Sequence, residues 1–375
     1  MNSYIKKLIL TNYRNYKNST FNFGSKINVI YGANGIGKTN ILEAISFLSP
    51  GKGFFNSSLN DLIIIENNKQ NDFWSIFANI EDNSIADTIA VYLENENNSL
   101  KKKVKINGNI TRSQDELNKI FNVIWLIPTM QNLFIDDKSV RRKFLDRIVY
   151  LLDTEHSSRV AKYEFLIKER MKVLQDNCKF DKRWLNVLEQ KIAETGIAIA
   201  VARNDIVRKM NSILVNYDFE FPKFTMIIDG YFENLMLDNI KSTDAENKFR
   251  EILEKNREKD IEAKRTNEGI HRSDFRLFYQ NKNIDAQFCS TGEQKLFLIS
   301  LTIAKALLCK ENHRATPIIL LDEVFSYLDK NKKTKLLNEL LKLDVQSFIT
   351  GTDISLFEGL TNDSNISFIG LNKNN

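Results

Sequence analysis

Gly32-Ala33-Asn34-Gly35-Ile36-Gly37-Lys38-Thr39 is the stretch whose reading decides the fold. It fits G-x-x-x-x-G-K-[ST], the phosphate loop of nucleotide-binding proteins. Ile27, Val29 and Ile30 precede it as a short apolar run of strand type. Ile41, Ile45 and Leu48 follow at helical spacing. Strand, glycine loop and helix is the context that the motif requires. The glycines let backbone N–H groups from Gly32 through Thr39 curl around phosphate oxygens, and the helix start adds positive potential. Lys38 then reaches the β- and γ-phosphates, and Thr39 holds Mg²⁺.

A second constellation lies near the other end of the chain. Pro317-Ile318-Ile319-Leu320-Leu321 runs straight into Asp322-Glu323. A continuous apolar strand suits a parallel sheet covered on both faces, and acids at its carboxyl end lie where ligands bind in such sheets. Asp322 is the expected second metal-shell residue, and Glu323 the group that polarises an attacking water. Between the two constellations, Ser290-Thr291-Gly292-Glu293-Gln294 opens an apolar helix, with Ser290 and Glu293 at capping-box spacing. Ser326-Tyr327-Leu328-Asp329 and Thr350-Gly351-Thr352-Asp353 supply polar groups beside the expected site.

The chain has 375 residues, with 42% hydrophobic and 27% charged residues and a net charge of +5. That is ordinary for a soluble protein of two or three domains, and the mild basic excess permits a nucleic-acid partner without demanding one. Cys178, Cys289 and Cys309 are far apart, which argues against a disulfide framework or a zinc site and for a reducing cytoplasm. Lys6, Lys7 and Arg14 interrupt any leader-like start. The apolar stretch Leu296 to Leu308 contains Ser300, Thr302 and Lys305, so it reads as a buried helix and no membrane association is expected.

Residues 4–10, 26–31, 73–80, 88–93, 101–106 and 123–127 read as strands, with a turn at Asn107-Gly108. From about Asp137 to Tyr217 the period is helical. Val140, Phe144, Ile148 and Leu151 share one face, and Leu185, Leu188, Ile192 and Ile199 another. Ser242 to Thr266 reads as a solvated helix. Phe275–Tyr279 and Ile284–Phe288 read as a hairpin, and Ser347–Thr350 as the last strand. Lys101, Lys102, Lys103 and Lys105 form a basic strand edge, and Arg141, Arg142 and Lys143 a basic helix start.

The order of phosphate loop, Ser-x-Gly-Glu-Gln element and acidic strand resembles the ABC/SMC-type ATPase head. Within that class the chain is similar to the RecF family over essentially its whole length. The resemblance rests on Leu10 to Tyr16, Gly32 to Asn40, Arg141-Arg142-Lys143-Phe144-Leu145-Asp146, Gly269-Ile270-His271-Arg272-Ser273-Asp274, Ser290 to Gln294, Leu320 to Asp329 and Phe348 to Asp353. It departs from the family pattern at Glu323, where a second aspartate is usual, and at Lys295, where an arginine is.

The resemblance implies an α/β fold: an ABC/SMC-type head with a mixed β-sheet lobe and a helical arm lobe inserted between the halves of the nucleotide site. Residues 1–128 and 269–375 are then the two halves of the ATPase lobe, and 129–268 the arm. It further implies ATP and Mg²⁺ as cofactors, slow hydrolysis as a switch, and an ATP-dependent homodimer in which Ser290 and Gly292 close over the partner's nucleotide. Arg14 would touch phosphate and Asp329 would help arrange the partner's site. Gapped or junction DNA, RecR and the RecA pathway of recombination, SOS-linked repair and replication are the implied partners. A small-substrate P-loop kinase and an ATP-binding scaffold without hydrolysis are the alternatives.

Overall fold

The computed structural model describes residues 3–66, 69–70, 73–81, 86–96, 99–111, 114–175, 182–238, 240–312, 315–357 and 364–372. Cys178 lies outside them, and Cys289 and Cys309 are free buried thiols. In chain order the elements begin with β1 (Tyr4–Tyr13), β2 (Tyr16–Asn22), β3 (Ile27–Tyr31), α1 (Lys38–Ser46), β4 (Ile65–Glu66), β5 (Lys69–Gln70), β6 (Ser75–Glu81), β7 (Thr88–Glu96), β8 (Ser99–Ile106), β9 (Asn109–Ile110) and β10 (Phe121–Leu126). Then come α2 (Lys138–Tyr150), α3 (His156–Gln175), α4 (Lys182–Asn216), β11 (Thr225–Asp229), α5 (Tyr231–Leu237), α6 (Ser242–Lys255), α7 (Arg257–Ala263), β12 (Asp274–Tyr279) and β13 (Ile284–Asp285). The chain continues through α8 (Thr291–Glu311), β14 (Thr316–Leu321), α9 (Lys330–Leu343), β15 (Gln346–Gly351) and β16 (Ile366–Gly370).

These elements form two compact units. The first comprises Met1–Gln131, Phe219–Phe221 and Leu298–Asn375, and the second Asn132–Asp218 and Pro222–Phe297. Residues 269–297 therefore group with the helices, because β12 pairs antiparallel with β11 and packs on α2. The sequence reading puts them with the second half of the ATPase lobe.

The first unit has two sheets. An antiparallel sheet runs β2-β1-β6-β7-β8-β9, and a parallel one runs β10-β14-β15-β3-β16. The parallel strands are near-continuous apolar runs because both faces are covered: β10 and β15 are buried at every position. Ile41, Leu42 and Ile45 of α1 share one core with Leu8, Leu10, Ile76 and Val91 of the antiparallel sheet and Ile30, Leu320 and Phe348 of the parallel one. Gln346 ties the two sheets together. Its amide accepts from the Ile5 N–H at 2.8 Å and donates to the Ile5 and Gly24 carbonyls at 2.8 Å each.

In the second unit α3 and α4 pack side by side around Tyr163, Leu188, Ile192 and Ile199, joined by Phe249 and Leu253 of α6. Two expectations change here. Residues 242–266 hold two helices, α6 and α7, and α6 carries a buried stripe of Ala245, Phe249 and Leu253. Their many charges hide an amphipathic period because only every third or fourth position is apolar. The buried face of α2 is Arg141, Leu145, Ile148 and Val149, while Val140 is exposed. A charged residue faces inward there because Arg141 has a buried acid to meet.

Candidate nucleotide site

The loop after β3 turns with φ of +155° at Gly32, +77° at Gly35 and +112° at Gly37, values that side chains resist. A Cβ at Gly37 would also sit 2.6 Å from the Tyr16 hydroxyl and 2.5 Å from Asn15 Nδ2. The Lys38 ammonium donates to the Gly32 and Ala33 carbonyls at 2.7 and 2.9 Å. Burial lowers its pKa, while Glu323 and Asp322 pull it back up.

The two distant constellations meet here. Thr39 Oγ1 donates to the Asp322 carboxylate, 3.1 Å from each oxygen, across 283 residues of sequence. The parallel sheet makes this meeting: β14 delivers Asp322 from its carboxyl end, and only β15 separates it from β3. Thr350, at the end of β15, donates its hydroxyl to Asp322 Oδ1 at 2.7 Å and accepts the Glu323 N–H at 2.8 Å. One buried hydroxyl thus sets both acids, a role that its sequence position near the site hints at without specifying. Glu323 has φ 54° and ψ 19°, a left-handed conformation costly for a non-glycine residue. Strain of this kind holds where neighbours over-determine it, and the Thr350 bond and the Ser326 hydroxyl on the Glu323 carbonyl (2.6 Å) do so. Asp322 is 4% exposed, and desolvation raises its pKa above the ordinary 3.8 despite the Thr350 and Thr39 bonds.

Arg14 is placed otherwise than expected. Its Nε and Nη2 form a bidentate pair with the buried Glu43 of α1, each at 2.9 Å, and further bonds reach Ser57 and the Asp61 carbonyl. The guanidinium is neutralised within the fold. Its neighbour Asn15 is the contact that sequence reading misses. Asn15 Nδ2 donates to the Ile36 carbonyl at 2.8 Å, and its Oδ1 accepts from Asn40 Nδ2 at 2.8 Å. The β1–β2 turn therefore clamps the loop on both sides of Gly37 and Lys38. Asn15→Ala removes two hydrogen bonds worth about 1 kcal/mol each. Titration with a fluorescent nucleotide should show binding weakened on the order of tenfold, with the melting temperature lowered by a few degrees.

In the second unit Ser290 caps α8. Its N–H and hydroxyl donate to Glu293 Oε2 at 3.1 and 2.9 Å, and the Glu293 N–H returns a bond to Ser290 Oγ at 3.3 Å. The capping box is as read from the sequence. Gln294 is buried and donates to the carbonyls of Ala286, Gln287 and Cys289 at 2.9, 3.3 and 3.3 Å. It fixes the loop that presents Ser290 and Gly292, both exposed. In the first unit Asp329 is the N-cap of α9, accepting from the Lys332 N–H at 2.9 Å, which lowers its pKa.

A family model described as "RecF/RecN/SMC N terminal domain" matches residues 4–129. The DNA replication and repair protein RecF of Rickettsia prowazekii (strain Madrid E) is 35% identical over 97% of this chain and 99% of its own. The chain belongs to the RecF family. RecF of Brucella suis biovar 1 (strain 1330) is 37% identical over 96% of this chain and 93% of its own. Among solved structures, the recombination mediator protein RecF-ATP in the RecFOR pathway aligns at TM-score 0.77 and 25% identity, covering 94% of each chain. A Smc head domain from Pyrococcus furiosus aligns at TM-score 0.51 and 15% identity over 99% of this chain and 94% of its own, a likeness of fold alone.

Two of the stretches that carry the RecF resemblance, residues 141–146 and 269–274, are bonded to each other. Arg141 of the first holds Asp274 of the second through a bidentate pair at 2.7 and 2.9 Å, and Arg142 donates to the Ser273 carbonyl at 2.7 Å. Asp146 pairs with the buried Arg203 at 2.8 and 2.9 Å, and Arg203 continues to the Ile270 carbonyl. Burial pushes the His271 pKa down to about 4, and the neutral ring bonds Tyr163 at 2.9 Å and the Thr266 carbonyl at 3.0 Å. Arg141 and Arg142 thus join distant parts of their own unit. Among the described residues, no helix is long and apolar enough to cross a membrane.

Proposed function

We propose that this chain binds ATP with Mg²⁺ at the phosphate loop, hydrolyses it slowly, and uses the ATP state to form a homodimer that retains DNA in recombinational and replication-gap repair. The observation that carries this reading is the contact of Thr39 with Asp322, two oxygen donors from opposite ends of the sequence at 3.1 Å. The donor set fits Mg²⁺, which takes one or two protein oxygens and completes its shell with water and phosphate. Among the described residues no cluster of three or more His, Cys, Asp or Glu side chains offers an all-protein cage. The chemistry that Mg²⁺ supplies when bound is neutralisation of phosphate charge.

Within that frame Lys38 exchanges its two carbonyl partners for phosphate oxygens. Asp322 and Thr39 hold the metal shell. Glu323, fixed by Thr350, polarises the attacking water. Ser290 and Gly292 meet the γ-phosphate of a second copy, a contact that ADP lacks, so ATP alone shifts the population to the dimer. The exposure of both residues supports this. Gapped or junction DNA, RecR and the RecA pathway are the proposed partners on the strength of family membership.

Because the Asp322 pKa is raised in the folded chain, folding holds that proton more tightly than unfolding does. Its contribution to stability is therefore lost as pH rises from 3.8 through the raised value. A cation that favours the carboxylate form offsets this loss. Mg²⁺ should raise the melting temperature more at a pH above the raised Asp322 value than at a pH below it, and Asp322→Asn should remove the difference.

Light scattering with ATP, ADP or no nucleotide, each with and without gapped duplex, tests the whole reading. A dimer should form with ATP alone, and Ser290→Arg should stay monomeric while still binding ATP. Lys38→Arg and Asp322→Asn should lose ATP-dependent DNA retention, and retention persisting in both would reject the proposal.

A further inference from the structure

The register of the antiparallel sheet divides its residues into two faces. Leu8, Leu10, Ile76, Ala78, Val91 and Val104 point into the core. The opposite face carries the pairs Lys7↔Asn79, Thr11↔Ser75, Tyr92↔Lys103, Ala90↔Lys105 and Glu94↔Lys101. Lys102 belongs to the inner face, where it donates to the Gly51 carbonyl with its ammonium 5.2 Å from the centre of the Phe47 ring. The basic run read from the sequence is thus three lysines facing outward and one facing in. Lys7 joins the outward three from the other side of the same face.

Among the described side chains of β1, β2, β6, β7 and β8 two are acidic. Glu81 is taken by Lys6 at 2.9 Å and by the Tyr4 hydroxyl, and Glu94 lies 3.8 Å from Lys103. The surface is therefore net positive. Between its lysines lie Thr11, Asn18, Thr20, Ser75 and Asn79, together with the half-buried apolar pair Ile9↔Phe77. Lysine, threonine, serine and asparagine are the side chains that contact phosphate and sugar oxygens of nucleic acid. One aromatic ring of this face, Tyr92 of β7, is covered by a cation rather than open to an unpaired base, because the Lys105 ammonium sits 5.0 Å over it. That contact favours a backbone-reading surface over a base-stacking one.

We propose that the solvent-facing side of this sheet, centred on Lys7, Lys101, Lys103 and Lys105, is a docking surface for the phosphate backbone of duplex DNA. The inference rests on the reading that the chain works on DNA, and it says where on the first unit duplex is held.

The test uses the full chain with ATP and a blunt duplex, measuring affinity against salt concentration. For duplex contacts the slope of log K on log salt is about 0.9 per phosphate neutralised. The triple variant Lys101→Ala, Lys103→Ala, Lys105→Ala should flatten the slope by about 2 to 3 and weaken binding at least on the order of tenfold at physiological salt. Its nucleotide affinity should match the parent. The matching lysine-to-arginine triple should keep both slope and affinity. A control triple on exposed positions of α3 and α4, Lys162→Ala, Lys168→Ala, Lys191→Ala, should leave the slope alone.

An unchanged slope in the sheet triple, an equal loss in the control triple, or a loss confined to single-stranded DNA would each overturn the proposal. If the parent protein binds no DNA in any nucleotide state, the functional reading fails with it. If the parent binds and the sheet triple binds equally, this inference alone fails.

Discussion

Glu323→Gln is expected to slow ATP hydrolysis by about 10²–10⁴-fold, the usual range for loss of a group that handles a proton in the transition state. Nucleotide binding should survive. The substitution is isosteric, and the bonds that position the residue come from its backbone: the N–H to Thr350 and the carbonyl to Ser326. The ATP-bound dimer should therefore accumulate and hold DNA longer than the parent does. Single-turnover hydrolysis and DNA dissociation, measured on the same preparation, read both effects. Glu323→Asp is the informative companion. Aspartate tolerates the left-handed region better than glutamate, yet its carboxylate reaches one methylene less far, so stability should hold while turnover falls. If Glu323→Gln turned over ATP at the parental rate, a scaffold without hydrolysis at this acid would be the better account.

Arg170→Met should destabilise the second unit by about 3–5 kcal/mol, the cost of leaving a buried charge without its partner. Arg170, Glu189 and Asp260 are all fully buried. Arg170 bonds Glu189 at 2.9 Å, Asp260 at 2.7 Å, the Thr266 hydroxyl at 3.1 Å and the Leu253 carbonyl at 2.7 Å. Methionine fills similar space and strands the acids unequally. Glu189 keeps Arg257, whereas the Asp260 carboxylate keeps the N–H and amide of Asn267. Replacing Asp260 by asparagine in the same chain should recover part of the loss. Denaturant unfolding measures it, and a change under about 1 kcal/mol would show that the network is solvated when the arginine leaves. Because Arg170 gathers α4, α6 and α7 around α3, such a loss would be felt throughout the helices.

The sequence made the site legible where chemistry forces a residue type. Glycines at positive φ before Lys38, an apolar run ending in two acids, and a Ser-x-x-Glu helix start each have a local physical signature. What it hid was set by partners far away in the chain. β2 is too polar to stand out, since Lys17, Asn18, Ser19 and Thr20 cover most of its length, and it is a strand because β1 pairs with it. β16 is a five-residue strand that follows the strand read as last, and pairing with β3 makes it one. The second half of the expected hairpin is two residues of β13 followed by a short turn, because the Gln294 amide gathers the carbonyls of Ala286, Gln287 and Cys289 instead of leaving them to a ladder. Asn15 and Thr350 look like turn and strand-end residues until their bonds to the loop and the acids are seen.

The placement of β3 sets a timetable for synthesis. Its two hydrogen-bonded neighbours are β15 and β16, so the strand that launches the phosphate loop waits unpaired on both edges until residue 346 and beyond have been made. At roughly 5–20 residues per second the ribosome needs from about 15 seconds to a minute to cover that interval. A nascent chain stalled within it carries the glycine loop but no finished cradle, and it cannot take nucleotide before its last strands arrive.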